Sequence, residues 1–330
     1  METKLLNENE LSQAVRWIQQ GELVAFPTDT VYGLGADATN ESAVQKVFEA
    51  KGRPENRPIN VLISQPEDIL RYTIDVSDDA MKLAKAFWPG PFTLILKSAG
   101  NLSPVITAGK DTVGLRIPDN KLAQQFIEQC GIPLATPSAN SSGRPSPTMA
   151  SHVMDDLNGK IAGIIDGGAT SYGIESTILD FSNADYPLIL RPGNISKEQI
   201  EEVIQRPVYE IMSAETSIES INEKHYEPKI PVFIVESDWE AVVSNLKAAD
   251  EKIAILANQS IVNQFAKEAI ETFSLGVEND VESANRYLFQ GLRMLEKTHA
   301  TVILAESFSK IGEGVPLMNR LENAADRKKI

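Results

Sequence analysis

Short apolar runs, most of which end in a polar loop, divide the first part of the chain. Apolar residues at helical spacing predict a helix over residues 11–20 that stops at Gly21, and a second helix that is capped by Asn40 and ends before Gly52. Several strand candidates follow one another with no helix between them, which predicts a mixed sheet flanked by helices. The candidate strands are residues 23–26, 61–64, 93–97, 113–117, 134–136, 163–166, 177–181 and 188–190.

The pattern changes near residue 208. Residues 212–228 are polar, rich in Ser and Glu and without periodicity, which predicts a linker. The apolar runs beyond it alternate with helical stretches and predict a small, mostly parallel, Rossmann-like sheet; they are residues 232–235, 253–257, 273–275 and 302–305. The sequence therefore predicts a domain over residues 1–208, a linker over residues 209–229 and a second domain over residues 230–330.

The composition is that of an ordinary globular protein. The chain has 330 residues, of which 42% are hydrophobic, and this length suits two domains. The formal net charge of −15 argues against broad, non-specific binding of nucleic acid. The single cysteine, Cys130, fits a reducing compartment, and the N-terminus lacks the basic and apolar regions of a signal peptide. No run approaches a membrane-spanning length, so a cytoplasmic location is expected.

Six segments rich in Pro, Gly, hydroxyl-bearing and basic residues lie where apolar runs end. They are residues 27–35, 51–58, 112–118, 136–148, 174–181 and 190–193. Rigid loops of this composition indicate a site built on a scaffold, and their cationic and hydroxyl groups suit phosphate. Lys51 and Arg53 supply a point charge and a planar fork of donors, with Arg57 close behind. Together the segments predict a pocket for a phosphorylated ligand beside a small polar one.

Each segment taken alone also fits a purely structural interpretation. Lys51 and Arg53 fit a solvated basic helix end, Ser138 and Asn140 fit an ordinary turn, and Arg116 fits an edge strand. Metalloenzyme and serine hydrolase chemistry are disfavoured, because the three histidines lack metal-ligand spacing and the G-x-S-x-G pattern is absent. The Walker and G-x-G-x-x-G nucleotide patterns are absent as well.

The six segments and one further run, residues 88–96, resemble one family when taken in this order. The resemblance is to the YrdC-type threonylcarbamoyl-AMP synthase domain, covers residues 10–208, and rests on PTDTVYGLGADA, AKGRPENRPINVLI, WPGPFTLIL, TVGLRIPDN, PLATPSANSSGRPSPT, GIESTILDF and LILRPG. Four later segments resemble the linker and C-terminal domain of the long, two-domain form: KHYEP, NRYLFQGLRMLE, TVILAESF and GVPLMNRLENAA. The resemblance implies an α/β fold, with a YrdC-like twisted mixed sheet flanked by helices followed by a smaller Rossmann-like parallel α/β domain.

The same resemblance implies a nucleotidyltransferase reaction. Such an enzyme condenses L-threonine, bicarbonate or CO2, and ATP to threonylcarbamoyl-AMP and pyrophosphate, for the threonylcarbamoyl-adenosine modification of tRNA. Mg²⁺ is expected on the ATP phosphates, with no metal ligand assigned on the protein. The product is expected to pass to a partner tRNA threonylcarbamoyl-transferase. Membrane association and stable direct tRNA binding are not expected.

The resemblance further implies roles for individual residues. The family's K-x-R…S-x-N signature falls on Lys51, Arg53, Ser138 and Asn140, the expected catalytic set. Positions that match ATP contacts are Arg53, Arg57, Thr112, Ser138, Ser146, Arg191 and, in the linker, Tyr226; those that match threonine contacts are Thr30, Arg116, Thr136 and Ser176. Arg116 is the expected fork for the threonine carboxylate. The chain departs from the family at Leu62, where many members have His, and it lacks the usual Pro-Gly-Met ahead of the linker motif.

Two other functions stay open at this point. A non-catalytic RNA-binding module without ATP turnover would share the fold, and a carbamoyl-adenylating enzyme that uses carbamoyl phosphate would share the adenylylation chemistry. The net charge of −15 disfavours the RNA-binding module. The lack of an acylphosphatase segment and of Cys-rich zinc motifs disfavours the carbamoyl phosphate enzyme.

Overall fold

A computed structural model describes residues 2–211 and 225–330, which form two compact units. The first unit comprises residues 2–142, Pro147–Ser171 and residues 175–211; the second comprises Gly143–Ser146, Tyr172–Ile174 and residues 225–330. Two short stretches from inside the sequence of the first unit are thus part of the second. Residues 212–224 of the predicted linker lie outside the described residues.

The described residues of the first unit build one large mixed sheet. Its strands are β1 (Lys4–Leu6), β2 (Val24–Phe26), β3 (Gly33–Asp37), β4 (Val61–Leu62), β5 (Phe92–Lys97), β6 (Thr112–Arg116), β7 (Leu134–Ala135), β8 (Gly163–Ile165), β9 (Thr177–Asp180), β10 (Leu188–Arg191) and β11 (Tyr209–Glu210). They lie in the order β1-β8-β2-β3-β7-β4-β6-β5-β9-β10-β11. Strand β6 pairs with β4 in parallel and with β5 antiparallel, so the mixed sheet that the sequence predicts is confirmed.

Helices cover both faces of this sheet. They are α1 (Leu11–Gln19), α2 (Glu41–Lys51), α3 (Ile69–Tyr72), α4 (Asp78–Phe87), α5 (Pro104–Thr107), α6 (Lys121–Cys130), α7 (Ala150–Leu157) and α8 (Lys197–Ile204), with 3-10 turns at Glu8–Glu10 and Pro66–Asp68. Alternate strand residues enter two separate cores: Val61 packs in one and Leu62 in the other. Inner strands such as β2 and β4 are therefore buried and apolar on both sides.

The second unit is a smaller parallel α/β fold. Its strands are β12 (Val232–Val235), β13 (Ile253–Ala257), β14 (Glu271–Ser274) and β15 (Val302–Glu306), and its helices are α9 (Trp239–Ala248), α10 (Gln259–Gln264), α11 (Val281–Leu295) and α12 (Gly314–Ala324). Its strands lie in the order β12-β15-β13-β14, and every pairing between them is parallel. The predicted Rossmann-like parallel sheet is therefore confirmed.

The sequence missed three strands of the first unit: β1, β3 and β11. Residues 33–35 were expected in a loop, but Gly33 and Gly35 lie in β3. A Cβ on Gly33 would lie 2.4 Å from Cγ2 of Thr136, so a contact distant in sequence requires this glycine. Strand β11 pairs with β10, which extends the first sheet to residue 210.

Cys130 is buried at the end of α6, in one of the two cores. Burial raises the pKa of its thiol to about 12, so very little reactive thiolate is present at neutral pH. Alkylation of Cys130 therefore reports unfolding of the first unit. Among the described residues, no helix combines the length and the apolar character that crossing a membrane requires.

Candidate active site

Helix α2 places Lys51 inside the first unit. The Asn40 side chain accepts a hydrogen bond from the Ala43 N–H and caps the helix, which ends at Gly52 with a left-handed φ of 60°. Lys51, the last helical residue, is 4% exposed. Its Nζ donates to the carbonyl oxygens of Ser138 and Asn140, at 2.5 Å each. The interpretation of Lys51 as part of a solvated helix end is therefore wrong.

A compact turn after β7 holds the signature residues Ser138 and Asn140. The Ser138 Oγ donates to Oδ1 of Asn140 at 2.5 Å, and the Asn140 Nδ2 donates to the carbonyl of Ser141 at 2.9 Å. The Ser142 N–H donates a hydrogen bond to the carbonyl of Lys51 at 2.8 Å. The lysine, the hydroxyl and the amide therefore form one connected group, although the helix and the turn are far apart in sequence.

Three arginines concentrate positive charge in the same unit. The Arg53 Nη2 donates to the carbonyl of Pro58 at 3.0 Å, while its Nε is buried and has no hydrogen-bond partner among the described residues. Burial, together with the charges of Arg57 and Arg191, lowers the pKa of Arg53 to about 10. Mutually repelling guanidinium groups with an unused donor suit a polyanionic ligand.

Arg116, at the end of β6, is held by three acceptors from other parts of the unit. Its Nε donates to the Gly90 carbonyl and its Nη1 to the Thr30 Oγ1, both at 2.9 Å. Its Nη2 forms an ion pair with Oδ1 of Asp29. Burial raises the pKa of Asp29, and the adjacent Arg116 guanidinium opposes that shift. Asp29 is a site residue that the sequence analysis missed; its position beside Thr30, in a polar loop, was the available signal.

Strand β6 lies between β4 and β5, so the interpretation of Arg116 as an edge residue is wrong. Thr112, Gly114 and Arg116 alternate on one face of this strand, and Thr112 and Arg116 are about 13 Å apart along it. A Cβ on Gly114 would lie 2.6 Å from Oδ1 of Asn60 and 3.2 Å from Cγ2 of Thr93. The glycine therefore lets two polar side chains approach the strand between its two site positions.

The pairing of β4 with β6 places the basic residues and Arg116 at opposite ends of β6. Strands β4 and β6 are parallel, with Leu62 opposite Arg116, so the basic loop that precedes β4 reaches the Thr112 end of β6. Leu62 itself is buried in the core that contains Phe26 and Phe126. At this position, where many family members have His, the chain thus has an apolar neighbour of Arg116.

Ser176 and Arg191 are brought into direct contact. The Arg191 Nε donates to the carbonyl of Ser176 at 3.0 Å, and its Nη2 donates to the Ser176 Oγ at 3.2 Å. The Ser176 Oγ also lies 2.8 Å from Oγ1 of Thr93 on β5. Through Arg191, the cluster of Arg53, Arg57 and Arg191 therefore adjoins the hydroxyl groups of Ser176 and Thr93.

Thr136 lies beside the start of β3. Its N–H donates to the carbonyl of Asn60 at 2.8 Å, and its Oγ1 donates to the carbonyl of Leu134 at 3.0 Å. Its methyl group packs against Gly33, as the fold requires. Thr30 and Thr136 thus flank the same strand, with Arg116 bonded to Thr30.

The turn at Gly193 supports Ser176. A Cβ on Gly193 would lie 2.3 Å from the backbone N of Thr177 and 2.6 Å from the carbonyl carbon of Ser176. We expect Gly193→Ala to lower the free energy of unfolding by about 1–3 kcal/mol, because the backbone has to move to admit the methyl group. Urea unfolding measures this change. Leu190→Ala, an exposed position on β10 just before this turn, is the control, and equal stability of both variants would contradict the prediction.

Ser146 and Tyr226 belong to the second unit. Ser146 is buried in the Gly143–Ser146 stretch, and the Tyr226 ring centroid lies 5.1 Å from that of Phe289. Within this unit Arg144 forms an ion pair with Glu296, and Arg293 donates to the Pro145 carbonyl. The structure therefore places these two predicted ATP contacts in a different unit from the other predicted residues.

Within residues 2–211 and 225–330 no group of three or more His, Cys, Asp or Glu side chains could hold a metal ion. The neutral oxygens of Ser138 and Asn140 are hard ligands that fit a cation carried by a phosphate ligand. The first unit thus offers a basic part and a buried Arg116 that is bonded to the Thr30 hydroxyl. This arrangement can neutralise a polyphosphate and orient a small carboxylate.

Comparisons with known sequences cover nearly the whole chain. The family described as "Telomere recombination" matches residues 16–193, and the family described as "Threonylcarbamoyl-AMP synthase, C-terminal domain" matches residues 195–326. A threonylcarbamoyl-AMP synthase of Bacillus subtilis is 40% identical, over 98% of this chain and 95% of that protein. A putative threonylcarbamoyl-AMP synthase of Mycobacterium tuberculosis is 39% identical, over 58% of this chain and 87% of that protein.

Solved structures give the same result. The crystal structure of Pyrococcus abyssi Sua5 complexed with L-threonine has a TM-score of 0.91 and 38% identity, and 99% of each chain is covered. The crystal structure of E. coli YciO has a TM-score of 0.53 and 24% identity, over 58% of this chain and 96% of that chain, and indicates the fold of the first unit only.

Proposed function

The chain belongs to the two-domain Sua5 family of threonylcarbamoyl-AMP synthases, and from that premise we propose how its residues carry the reaction. The substrates are L-threonine, bicarbonate or CO2, and ATP; the products are threonylcarbamoyl-AMP and pyrophosphate. One observation carries the assignment: the first unit holds a cluster of basic groups and also a buried Arg116 that is bonded to the Thr30 hydroxyl. The product serves the modification of tRNA.

The reaction has two bond-forming steps. The threonine amine attacks the carbon of bicarbonate or CO2 and becomes a carbamate; a proton is lost when CO2 reacts, and water is lost when bicarbonate reacts. A carbamate oxygen then attacks the α-phosphorus of ATP while the bond to the pyrophosphate leaving group breaks. Both steps need close positioning and neutralisation of charge more than acid–base chemistry.

We assign the triphosphate to the basic part of the unit. Lys51 and Arg53 neutralise the phosphates, with Ser138 and Asn140 beside them, and Arg57, Arg191 and Thr112 make further ATP contacts. Lys51 also fixes the Ser138–Asn140 turn through its two carbonyl contacts. Ser138 and Asn140, whose side-chain oxygens are neutral hard ligands, would hold an Mg²⁺ ion carried by ATP, and that ion would neutralise charge on the phosphates.

Threonine is assigned to the Arg116 end of β6. The guanidinium receives the carboxylate, and the hydroxyls of Thr30, Thr136 and Ser176 surround the small polar substrate. Leu62 supplies an apolar wall beside Arg116. Ser146 and Tyr226 are proposed as further ATP contacts, as the resemblance implies.

We propose residues 1–208 as the catalytic domain, 209–229 as the linker and 230–330 as the C-terminal domain. Transfer of the product to a tRNA threonylcarbamoyl-transferase and a cytoplasmic location stay predictions from the sequence.

The test is pyrophosphate release from Mg-ATP with and without L-threonine and bicarbonate, with serine in place of threonine as a control. We expect release that needs both co-substrates and prefers threonine. Folded protein without threonine-dependent release would contradict the proposal. Release with carbamoyl phosphate would then support the carbamoyl-adenylating alternative, and tRNA binding with a steep salt dependence would support the RNA-binding one.

A further inference from the structure

The ion pair between Asp29 and Arg116 is among the most buried in the first unit. Asp29 is 1% exposed and Arg116 is 6% exposed. A guanidinium has five N–H donors, and three of those of Arg116 bond to Gly90, Thr30 and Asp29. Among the described residues, no partner is seen for the two remaining donors, one on each Nη, so both are left for a ligand.

The Asp29 carboxylate is also only half used. Its Oδ1 holds the Arg116 guanidinium, whereas its Oδ2 is buried and has no hydrogen-bond partner among the described residues. A buried carboxylate oxygen without a hydrogen-bond donor destabilises the folded state, so fold stability does not explain why Asp29 is present at this position. The pair nevertheless supplies one positive and one negative charge at the same place.

We propose that Asp29 determines which ligand the threonine subsite binds. As the counter-charge of Arg116, Asp29 makes this subsite electrically neutral. The subsite therefore binds a zwitterionic α-amino acid in preference to a carboxylate without an amino group. The inference rests on the proposed function, which assigns the threonine carboxylate to Arg116. It adds a residue to the site and a reason for selecting an amino acid there.

The selection follows from electrostatics in a buried site. An amino acid carries a carboxylate and an ammonium group. Arg116 attracts the carboxylate and Asp29 repels it, whereas Asp29 attracts the ammonium group and Arg116 repels it. A carboxylate without an amino group feels the same attraction and repulsion but lacks the ammonium group that Asp29 attracts, and at low effective dielectric this loss costs about tenfold or more in affinity. Asp119 is a second acidic neighbour of Asp29, but it is exposed, so salt screens its charge.

The experiment compares two ligands in the wild type, Asp29→Asn and Asp75→Asn. L-Threonine and 3-hydroxybutanoate, which lacks only the amino group, are each titrated by calorimetry, and pyrophosphate release gives the KM and kcat for threonine. Asp75 is a matched control because it is an exposed carboxylate paired with Lys97, and its positive φ of 55° suits Asn.

In Asp29→Asn we expect the Kd of 3-hydroxybutanoate to fall about tenfold relative to that of threonine, while Asp75→Asn leaves the ratio unchanged. A purely structural role would weaken both ligands together. An unchanged ratio in folded Asp29→Asn would therefore overturn the inference, even if the wild type releases pyrophosphate with threonine. A wild type that neither binds threonine nor releases pyrophosphate would overturn the proposed function and, with it, this inference.

A measurement on the wild type covers the case in which Asp29→Asn does not fold. The inference requires wild-type protein to bind threonine at least about tenfold more tightly than 3-hydroxybutanoate. Equal affinities would overturn it. Asp29→Glu keeps the charge, and we expect it to keep the wild-type ratio even where its absolute affinities fall.

Discussion

Lys51→Met is expected to lower the kcat/KM for ATP at least about 100-fold, the loss typical of removing one fixed donor at a reacting centre. The substitution preserves the length of the side chain and removes its charge. It also leaves the carbonyls of Ser138 and Asn140 without the Nζ that bonds them, so the turn loses its support as well as the phosphate its counter-charge. Steady-state pyrophosphate release at varied ATP measures the effect.

The control for this experiment lies on the same helix. Lys46 is half-exposed and pairs with Glu22, so Lys46→Met removes a lysine from α2 without touching the site. Protection of Cys130 from alkylation shows whether each variant is folded. Lys51→Met protein that is folded and retains activity within about tenfold of the wild type would refute the assignment of Lys51 to the phosphates.

Arg116→Lys is expected to raise the KM for threonine by about 30- to 100-fold and to change the KM for ATP much less. Lysine keeps a positive charge beside Asp29 but loses the planar fork, and one charged hydrogen bond is worth about 2–3 kcal/mol. The two KM values, measured by pyrophosphate release, test the separation of the site into a threonine end and an ATP end.

Arg116→Ala would give a different result, because it leaves the buried Asp29 without its counter-ion. Removing one partner of a buried pair costs about 3–5 kcal/mol, so this variant is expected to be destabilised as well as inactive. Arg206→Lys, which alters a half-exposed arginine paired with Asp79, is the matched control for the lysine exchange. Equal increases in both KM values for Arg116→Lys would show that Arg116 does not serve threonine specifically.

Local chemistry made much of the fold predictable. The cap at Asn40 and the left-handed Gly52 fix the ends of α2 through groups within a few residues, and the sequence analysis found both. Strand β3 was missed because Gly33 and Gly35 look like a flexible loop until their neighbours are known. What they need is room for Thr136 and Phe26, which a sequence pattern does not express.

The same limit applies to the site. The polar segments and the family signature picked out Lys51 and Arg116, but not the atoms that each contacts. Asp29 and Arg116 are 87 residues apart in sequence, and so are Lys51 and Ser138. Whether a basic residue is solvated or buried depends on such distant partners. The sequence alone therefore allowed a solvated Lys51, whereas the structure shows that Lys51 is buried.

The Gly143–Ser146 stretch has a consequence for how this protein can be shortened. Its Arg144 pairs with Glu296 and its Pro145 carbonyl accepts from Arg293, so part of the second unit is encoded within the span of the first. A stop codon after residue 211 would therefore not excise a self-contained module; it would also strip this stretch of those two partners. The Mycobacterium tuberculosis relative, whose match covers 87% of its own length but only 58% of this chain, has too little sequence left for a second unit. A shortened form of this protein would therefore need other residues to take the place of Glu296 and Arg293 around this stretch.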